Sequence, residues 1–302
     1  MTTDASSLTS LKGDGGGPLT PRSQARLAGE LEELGYHVTQ SLKACCADLY
    51  ASDWVRLLIG DSLHPGGLAL TERLGALLCL GPDSRVLDLA AGRGTSALHL
   101  ARVFGCHVVG VDLSSTNVAA ARETAVGEGL AERAQFEVGD AERLNRLAEG
   151  SFDVVVCECA YCTFSDKRSA AREIARVLRP GGRLGLSDLT RSGPLPPELD
   201  GLLAWIACIA DALSVDGYVG ACEAAGLRVE CIEEHNQALM DLVHQVRGRL
   251  VAADLFAKLG QLELPSPVQD LQQATSMARS AAQAVEDGTL GYSLIVALKR
   301  GG

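Results

Sequence analysis

"VLDLAAGRGTSALHL", residues 86–100, changes rhythm at its middle. Val86 to Leu89 is a short apolar run of the kind that fills a buried strand, and Thr95 to Leu100 carries apolar residues at helical spacing. Between them stands Ala91-Gly92-Arg93-Gly94. Missing side chains there let the backbone turn sharply and pass close to a ligand, while the first turn of the following helix offers N–H groups without intrahelical partners. On its own the stretch fits a ligand-binding turn and a plain strand-to-helix corner equally well.

Working outward, the same alternation repeats. "HVVGVDL" (107–113) is a strand and "TNVAAARETAVGEGL" (116–130) a helix. "AQFEVGD" (134–140) and "FDVVVCEC" (152–159) are the next strands, followed by helix "SAAREIARVLR" (169–179) and strand "GRLGLSDL" (182–189). After two helical stretches, "PELDGLLAWIACIADAL" and "VDGYVGACEAAG", come strand "LRVECIEEH" and a closing strand in "GTLGYSLIVALKR". The pattern predicts an α/β fold with a doubly wound, mostly parallel seven-stranded sheet. Residues 1–26 are polar and Gly-rich and read as a flexible tail, and 27–80 as a helical cap. The sheet domain spans 81–235 and 287–302, with a helical insertion at 236–286.

Composition narrows the class further. The chain has 302 residues, 47% of them hydrophobic, which is ample for a core. Its formal charge is -11 with no run of Lys or Arg, which argues against a nucleic-acid partner. The start lacks the apolar segment of a secretory signal, and no stretch of about 18 apolar residues could span a bilayer. We expect a cytoplasmic protein without membrane association. Ten cysteines in such a chain read as thiols rather than structural disulfides.

Acidic residues punctuate the strand ends. Asp112 closes the second strand, where a carboxylate can accept both hydroxyls of a ribose, and Asp140 closes the third. Together "VLDLAAGRG", "VVGVDLS", "VGDAERL" and "RVLRPGGRLGLSDL" resemble a class I S-adenosylmethionine-dependent methyltransferase with its Rossmann-like sheet. An NAD-dependent enzyme is disfavoured because Ala97 stands where the dinucleotide fingerprint prefers its third Gly. The resemblance implies S-adenosyl-L-methionine as cofactor, with Asp88 orienting the methionine ammonium and Ala91, Gly92 and Gly94 beside methionine and ribose. It places Asp112 and Leu113 at the ribose and Asp140 and Ala141 at the adenine.

The segment after the fourth strand would then face the transferable methyl, and there the chain reads "VVCECAYCTFSDK" (155–167). Cys79, Cys106, Cys222 and Cys231 sit in apolar settings and are expected to be core filler. Cys157 falls within the strand, and Cys159 and Cys162 fall beyond it. A structural zinc site needs four ligands and finds no nearby His, so no metal cofactor is expected. A redox pair at 159 and 162 fits its fold context poorly.

The segment "FDVVVCECAYCTFSDKRSAAREIARVLRPGGRLGLSDL" is similar to the corresponding part of arsenite methyltransferases, with Cys159 on their strand-end thiol. "CIADALSVDGYVGACEAAGL" resembles a second thiol segment, placing Cys208 there, and "SLKACCADLY" a third, placing Cys46 or its neighbour Cys45. Where that family has a further cysteine, this chain has His64-Pro65-Gly66-Gly67. The implied function is methyl transfer to trivalent arsenic held by Cys46, Cys159 and Cys208. Arsenite or its thiol conjugate would be the small-molecule substrate, and cellular thiol reductants the partners. Arsenic carries no proton to remove, so such a site needs approximation and alignment rather than a base. The competing expectation is a carbon or oxygen nucleophile on a small organic metabolite, enclosed by the cap and the insertion.

Overall fold

In this computed structural model, residues 12–13, 17–18, 60, 64–199, 209, 211–258 and 271–301 are described. The helices expected within 27–63 and most of 200–210 lie outside them, as do Cys45, Cys46 and Cys208. In the amino-terminal segment, Lys12–Gly13 pairs antiparallel with Gly17–Pro18.

The main chain of elements is α1 (Gly67–Leu77), β1 (Arg85–Leu89), α2 (Thr95–Phe104), β2 (His107–Asp112), α3 (Ser115–Gly127) and β3 (Ala134–Val138). It continues through β4 (Phe152–Glu158), α4 (Lys167–Val177), β5 (Leu178–Arg191), α5 (Val215–Ala224) and β6 (Leu227–Glu234). It ends with α6 (Asn236–Lys258), α7 (Leu271–Glu286) and β7 (Leu290–Lys299). The seven strands form one sheet in the order β3-β2-β1-β4-β5-β7-β6. Strands β1 to β5 run parallel, and β7 enters antiparallel between β5 and β6. The chain thus starts in the middle of the sheet, builds outward to β3, and returns beside β1 through β4. A crevice opens at that reversal, beyond the carboxyl ends of β1 and β4.

Helices cover both faces of the sheet. One apolar cluster joins Leu87, Leu89, Val155 and Cys157 to Ile174 of α4 and Tyr218 of α5. The other joins Val86, Val154 and Val156 to Leu74 and Leu78 of the α1 region and to Leu98 and Ala101 of α2. A third lies over the carboxyl end, where Leu239 of α6 and Ala281, Ala284 and Val285 of α7 meet Leu189, Leu290 and Tyr292. The described residues of the expected insertion are thus helices α6 and α7, which pack above the strand ends. No described helix is long and apolar enough to cross a membrane.

Of the four thiols expected in the core, Cys106 and Cys222 are buried and Cys231 is partly buried. Burial pushes the Cys106 thiol up to about 11 and Cys222 to about 12. Cys79 departs from the expectation. It sits just past the end of α1 with φ 57°, and the left-handed turn swings its side chain into solvent.

Candidate active site

The turn after β1 is shaped by three left-handed residues at alternate positions, Ala90 (φ 57°), Gly92 (φ 55°) and Gly94 (φ 81°). A side chain costs energy in that region, so a non-glycine residue there marks a backbone held by its surroundings. Ala91 donates its N–H to the Val111 carbonyl, and Gly92 donates to Asp112 Oδ2 at 2.8 Å. Asp112 Oδ1 accepts from the Ser114 amide at 2.9 Å and from Asn117 Nδ2 at 3.3 Å. Asp112 thereby ties the turn to β2 and α3. Burial raises its pKa, and the amide donors oppose that rise. A carboxylate has about four lone-pair sites, so it retains capacity for further donors.

The two glycines differ in what lies beside them. A Cβ on Gly94 would meet Phe136 Cζ at 2.6 Å, whereas one on Gly92 would meet nothing within 4 Å. Gly92 therefore borders open space, and α2 begins behind it without a side-chain cap, unlike α3 and α4, which Ser114 and Asp166 cap. Asp140 accepts from the Glu142 amide through Oδ1, Ala141 is buried and Leu113 is half-buried. Asp88, Ala91, Gly92, Gly94, Asp112 and Leu113 are thus gathered around one corner, with Asp140 and Ala141 at the end of neighbouring β3.

Asp88 is buried to 3% exposure, and its Oδ2 has no hydrogen-bond partner among the described residues. Burial, with the charges of Glu158 and Asp112 added, pushes its pKa well above the ordinary carboxylate range. An orphaned buried carboxylate oxygen beside open backbone suits a ligand that brings a cation.

Across the crevice, β4 distributes its residues by alternation. Val156 pairs in register with Asp88, and Cys157 with Leu89, so Asp88, Val156 and Glu158 share one face while Cys157 points to the other. Cys157 is fully buried, and its thiol is held well above its usual pKa by desolvation, then by Asp188, Asp88 and Glu158. Cys162 is also fully buried, in the cluster over the carboxyl end, with its amide donating to Asp188 Oδ2. Cys159 alone of the three is partly exposed. It has φ 52°, and its amide donates to the Ser187 carbonyl at 2.6 Å.

A second polar group at this spot was not apparent in the sequence. The Glu158 side chain is 5% exposed and accepts from Thr71 Oγ1 of α1, which lies 3.0 and 3.2 Å from its two oxygens. His64 Nε2 is 3.4 Å from that hydroxyl and 3.8 Å from Glu158 Oε2. His64 Nδ1 lies 3.2 Å from the Pro65 carbonyl, which can only accept. On the neighbouring strands, the Ser187 and Tyr292 hydroxyls are 2.6 Å apart. The one local signal for this cluster was an acidic residue at a strand end. Its partners are 87 residues and more away in the chain. Among the described residues no group of three metal-ligating side chains is assembled.

This strand order, with its glycine turn and its acidic residues at the strand ends, defines a class I S-adenosylmethionine-dependent methyltransferase. A family model described as "Methyltransferase domain" matches residues 87–186. The 27-O-demethylrifamycin SV methyltransferase of Amycolatopsis mediterranei is 30% identical over 267 residues, covering 82% of this chain and 93% of that one. The chain belongs to this methyltransferase family, and S-adenosylmethionine is its cofactor. Methyltransferase GfsG of Streptomyces halstedii is 34% identical over 170 residues, spanning 55% of this chain and 61% of that relative. The arsenite methyltransferase of Halobacterium salinarum is 32% identical over 195 residues, spanning 60% of this chain and 49% of the relative.

Among solved structures, the cyclase SpnF superposes with a TM-score of 0.66 at 23% identity, covering 86% of this chain and 97% of that one. Geranyl diphosphate C-methyltransferase from Streptomyces coelicolor, with S-adenosyl-L-homocysteine bound, gives 0.64 at 17% identity, covering 85% and 98%. Both likenesses concern the fold.

Proposed function

We propose that the chain transfers a methyl group from S-adenosylmethionine to a hydroxyl oxygen of a small organic molecule. The observation that carries this reading is the similarity to a methyltransferase of 27-O-demethylrifamycin SV along most of both chains. Cys157 and Cys162 are buried in apolar clusters, and Cys159 is the partly exposed thiol among the three.

Asp88 would hold the methionine ammonium, which supplies the cation that its orphaned oxygen lacks. The open backbone at Gly92 would lie against methionine and ribose, with Asp112 and Leu113 at the ribose and Asp140 and Ala141 at the adenine. When bound, the cofactor supplies an electrophilic methyl carbon on a sulfonium. The protein's task is then to hold the acceptor oxygen in line at about 3–3.5 Å, to keep bulk water out, and to pass the hydroxyl proton to a base as the carbon–oxygen bond forms. Helices α6 and α7, packed over the strand ends, would form part of that enclosure.

A second reading, methylation of arsenite, is favoured by the left-handed, partly exposed Cys159 and by the Halobacterium relative. It requires Cys208 and Cys46 or Cys45 to join Cys159, and those positions lie outside the described residues. Either chemistry accords with a cytoplasmic setting in which thiol reductants keep cysteines reduced.

The deciding experiment offers methyl-labelled S-adenosylmethionine with arsenite plus glutathione in one set, and 27-O-demethylrifamycin SV and other hydroxyl-bearing compounds in another. Label in a methyl ether is the expected result. Label in methylated arsenic that disappears in Cys159→Ser and Cys208→Ser would overturn the hydroxyl reading.

A further inference from the structure

Asp88 and Glu158 stand on adjacent strand ends, on the same face of the sheet, at the reversal point where the cofactor crevice opens. They lie close enough for the Glu158 charge to raise the Asp88 pKa. Two like charges in a low-dielectric crevice repel, and the repulsion is relieved either by a proton kept on one of them or by a cation that comes to lie beside both. Among the described residues, the basic side chain within ion-pair distance of Glu158 is His64, and none is recorded for Asp88. Asp88 also has its orphaned Oδ2. S-Adenosylmethionine has two positive centres, the α-ammonium and the sulfonium, and its demethylated product retains only the first. One carboxylate for each centre would match the donor and mismatch the product.

We propose that Glu158 reads the positive charge at the transferable methyl, so that the site grips the charged donor and releases the neutral product. Thr71 and His64 are positioning residues in this arrangement. The Thr71 hydroxyl spans both carboxylate oxygens and fixes the carboxylate plane, and His64 backs it from the segment that leads into α1. As the acceptor's bond to the methyl carbon forms, the carbon–sulfur bond breaks and its electron pair stays on sulfur. The sulfonium charge disappears, and the attraction of Glu158 for the cofactor disappears with it. This role rests on the donor and not on the acceptor, so it stands whether the hydroxyl reading holds or fails.

The test is titration calorimetry without any acceptor, using three probes: S-adenosylmethionine, sinefungin (an amine replaces the methylated sulfonium) and S-adenosylhomocysteine. Wild-type protein should favour both charged ligands over the neutral one. Glu158→Gln should lose about tenfold in affinity for the charged pair and under about threefold for S-adenosylhomocysteine, the scale of one partly screened charge pair. Because the readout is a ratio within each variant, a general loss of folded protein weakens all three ligands alike and leaves it unmoved. Glu158→Asp keeps the charge but draws it back by one methylene from the sulfonium, so it should lower the ratio partway and serves as a second variant should the amide fold poorly. Thr71→Val should lower the ratio partway and Thr71→Ser should restore it, which loss of packing alone would not produce. A wild-type ratio retained in both Glu158 variants would overturn the proposal.

Discussion

Gly92 and Gly94 share a left-handed backbone but face different surroundings, and that difference separates a glycine that borders open space from one packed against Phe136. Gly94→Ala meets both the backbone penalty and the Phe136 ring, so it should destabilise the cofactor-free protein by about 3 kcal/mol. Gly92→Ala meets the backbone penalty alone, about 1–2 kcal/mol, yet its methyl enters the open space and should weaken S-adenosylmethionine binding more than Gly94→Ala does. Urea denaturation and calorimetry on the two variants check the pair. The reverse order in binding would show that Gly92 does not border the cofactor. The glycine turn and the acidic residues at the ends of β1 to β3 were legible as structural positions because each is set by local chain geometry. Glu158 with Thr71 and His64 was not, since the cluster exists only once α1 docks on the end of β4. Nor did spacing reveal which way each thiol points. Cys157 and Glu158 are neighbours in the chain, and the strand's alternation sends one to the core and the other to the crevice.

At the scale of elements, legibility followed burial. Strands β1, β4 and β7 are covered on both faces and read as mostly apolar runs without alternation, broken in β1 by Asp88 and in β7 by Ser293. Edge strand β6 alternates instead, with one face half-buried and the other exposed. What the sequence could not convey is how closely α1 approaches the sheet. A Cβ on Gly185 of β5 would lie 2.7 Å from Leu78 and 2.9 Å from Leu74, so this glycine lets the helix settle directly on the strand. That contact places Thr71 at Glu158. The helix is also tied by Arg73, whose guanidinium pairs with Glu233 of β6. The Arg73 side chain is exposed at the surface, so its pair should matter little. Leu74 is 1% exposed in the core, and Leu74→Ala should destabilise by about 3 kcal/mol. If α1 docking holds the carboxylate, Leu74→Ala should also narrow the preference for charged ligands, whereas Arg73→Ala should leave it intact.

For the whole molecule, the buried acids make stability depend on pH and on the cofactor together. Asp88 and Asp112 both have raised pKa values, so the folded, cofactor-free protein holds their protons more tightly than the unfolded chain does. By linkage their contribution is fully present below the unfolded carboxylate pKa and is lost as pH rises through the raised folded values. Glu173 and Glu233 shift the other way through their Arg partners, and as partly exposed surface pairs they offset this only modestly. The cofactor-free protein should therefore lose stability as pH climbs out of the acidic range, and Asp88→Asn, which cannot ionise, should flatten that slope. A bound ammonium favours ionised Asp88 and reverses the direction. Binding of S-adenosylmethionine should then release protons in the window between the cofactor-bound and cofactor-free titrations of Asp88. Calorimetry in buffers of different ionisation enthalpy reads that release directly. At a ligand concentration of one hundred times Kd the cofactor should add about 2.7 kcal/mol of stability. Wild-type protein should show the proton release and the rise in melting temperature together. Asp88→Asn should lose the release and bind the cofactor more weakly. Proton release that persists unchanged in Asp88→Asn would assign the titrating group elsewhere, and the orphaned oxygen of Asp88 would then have no part in holding the ammonium.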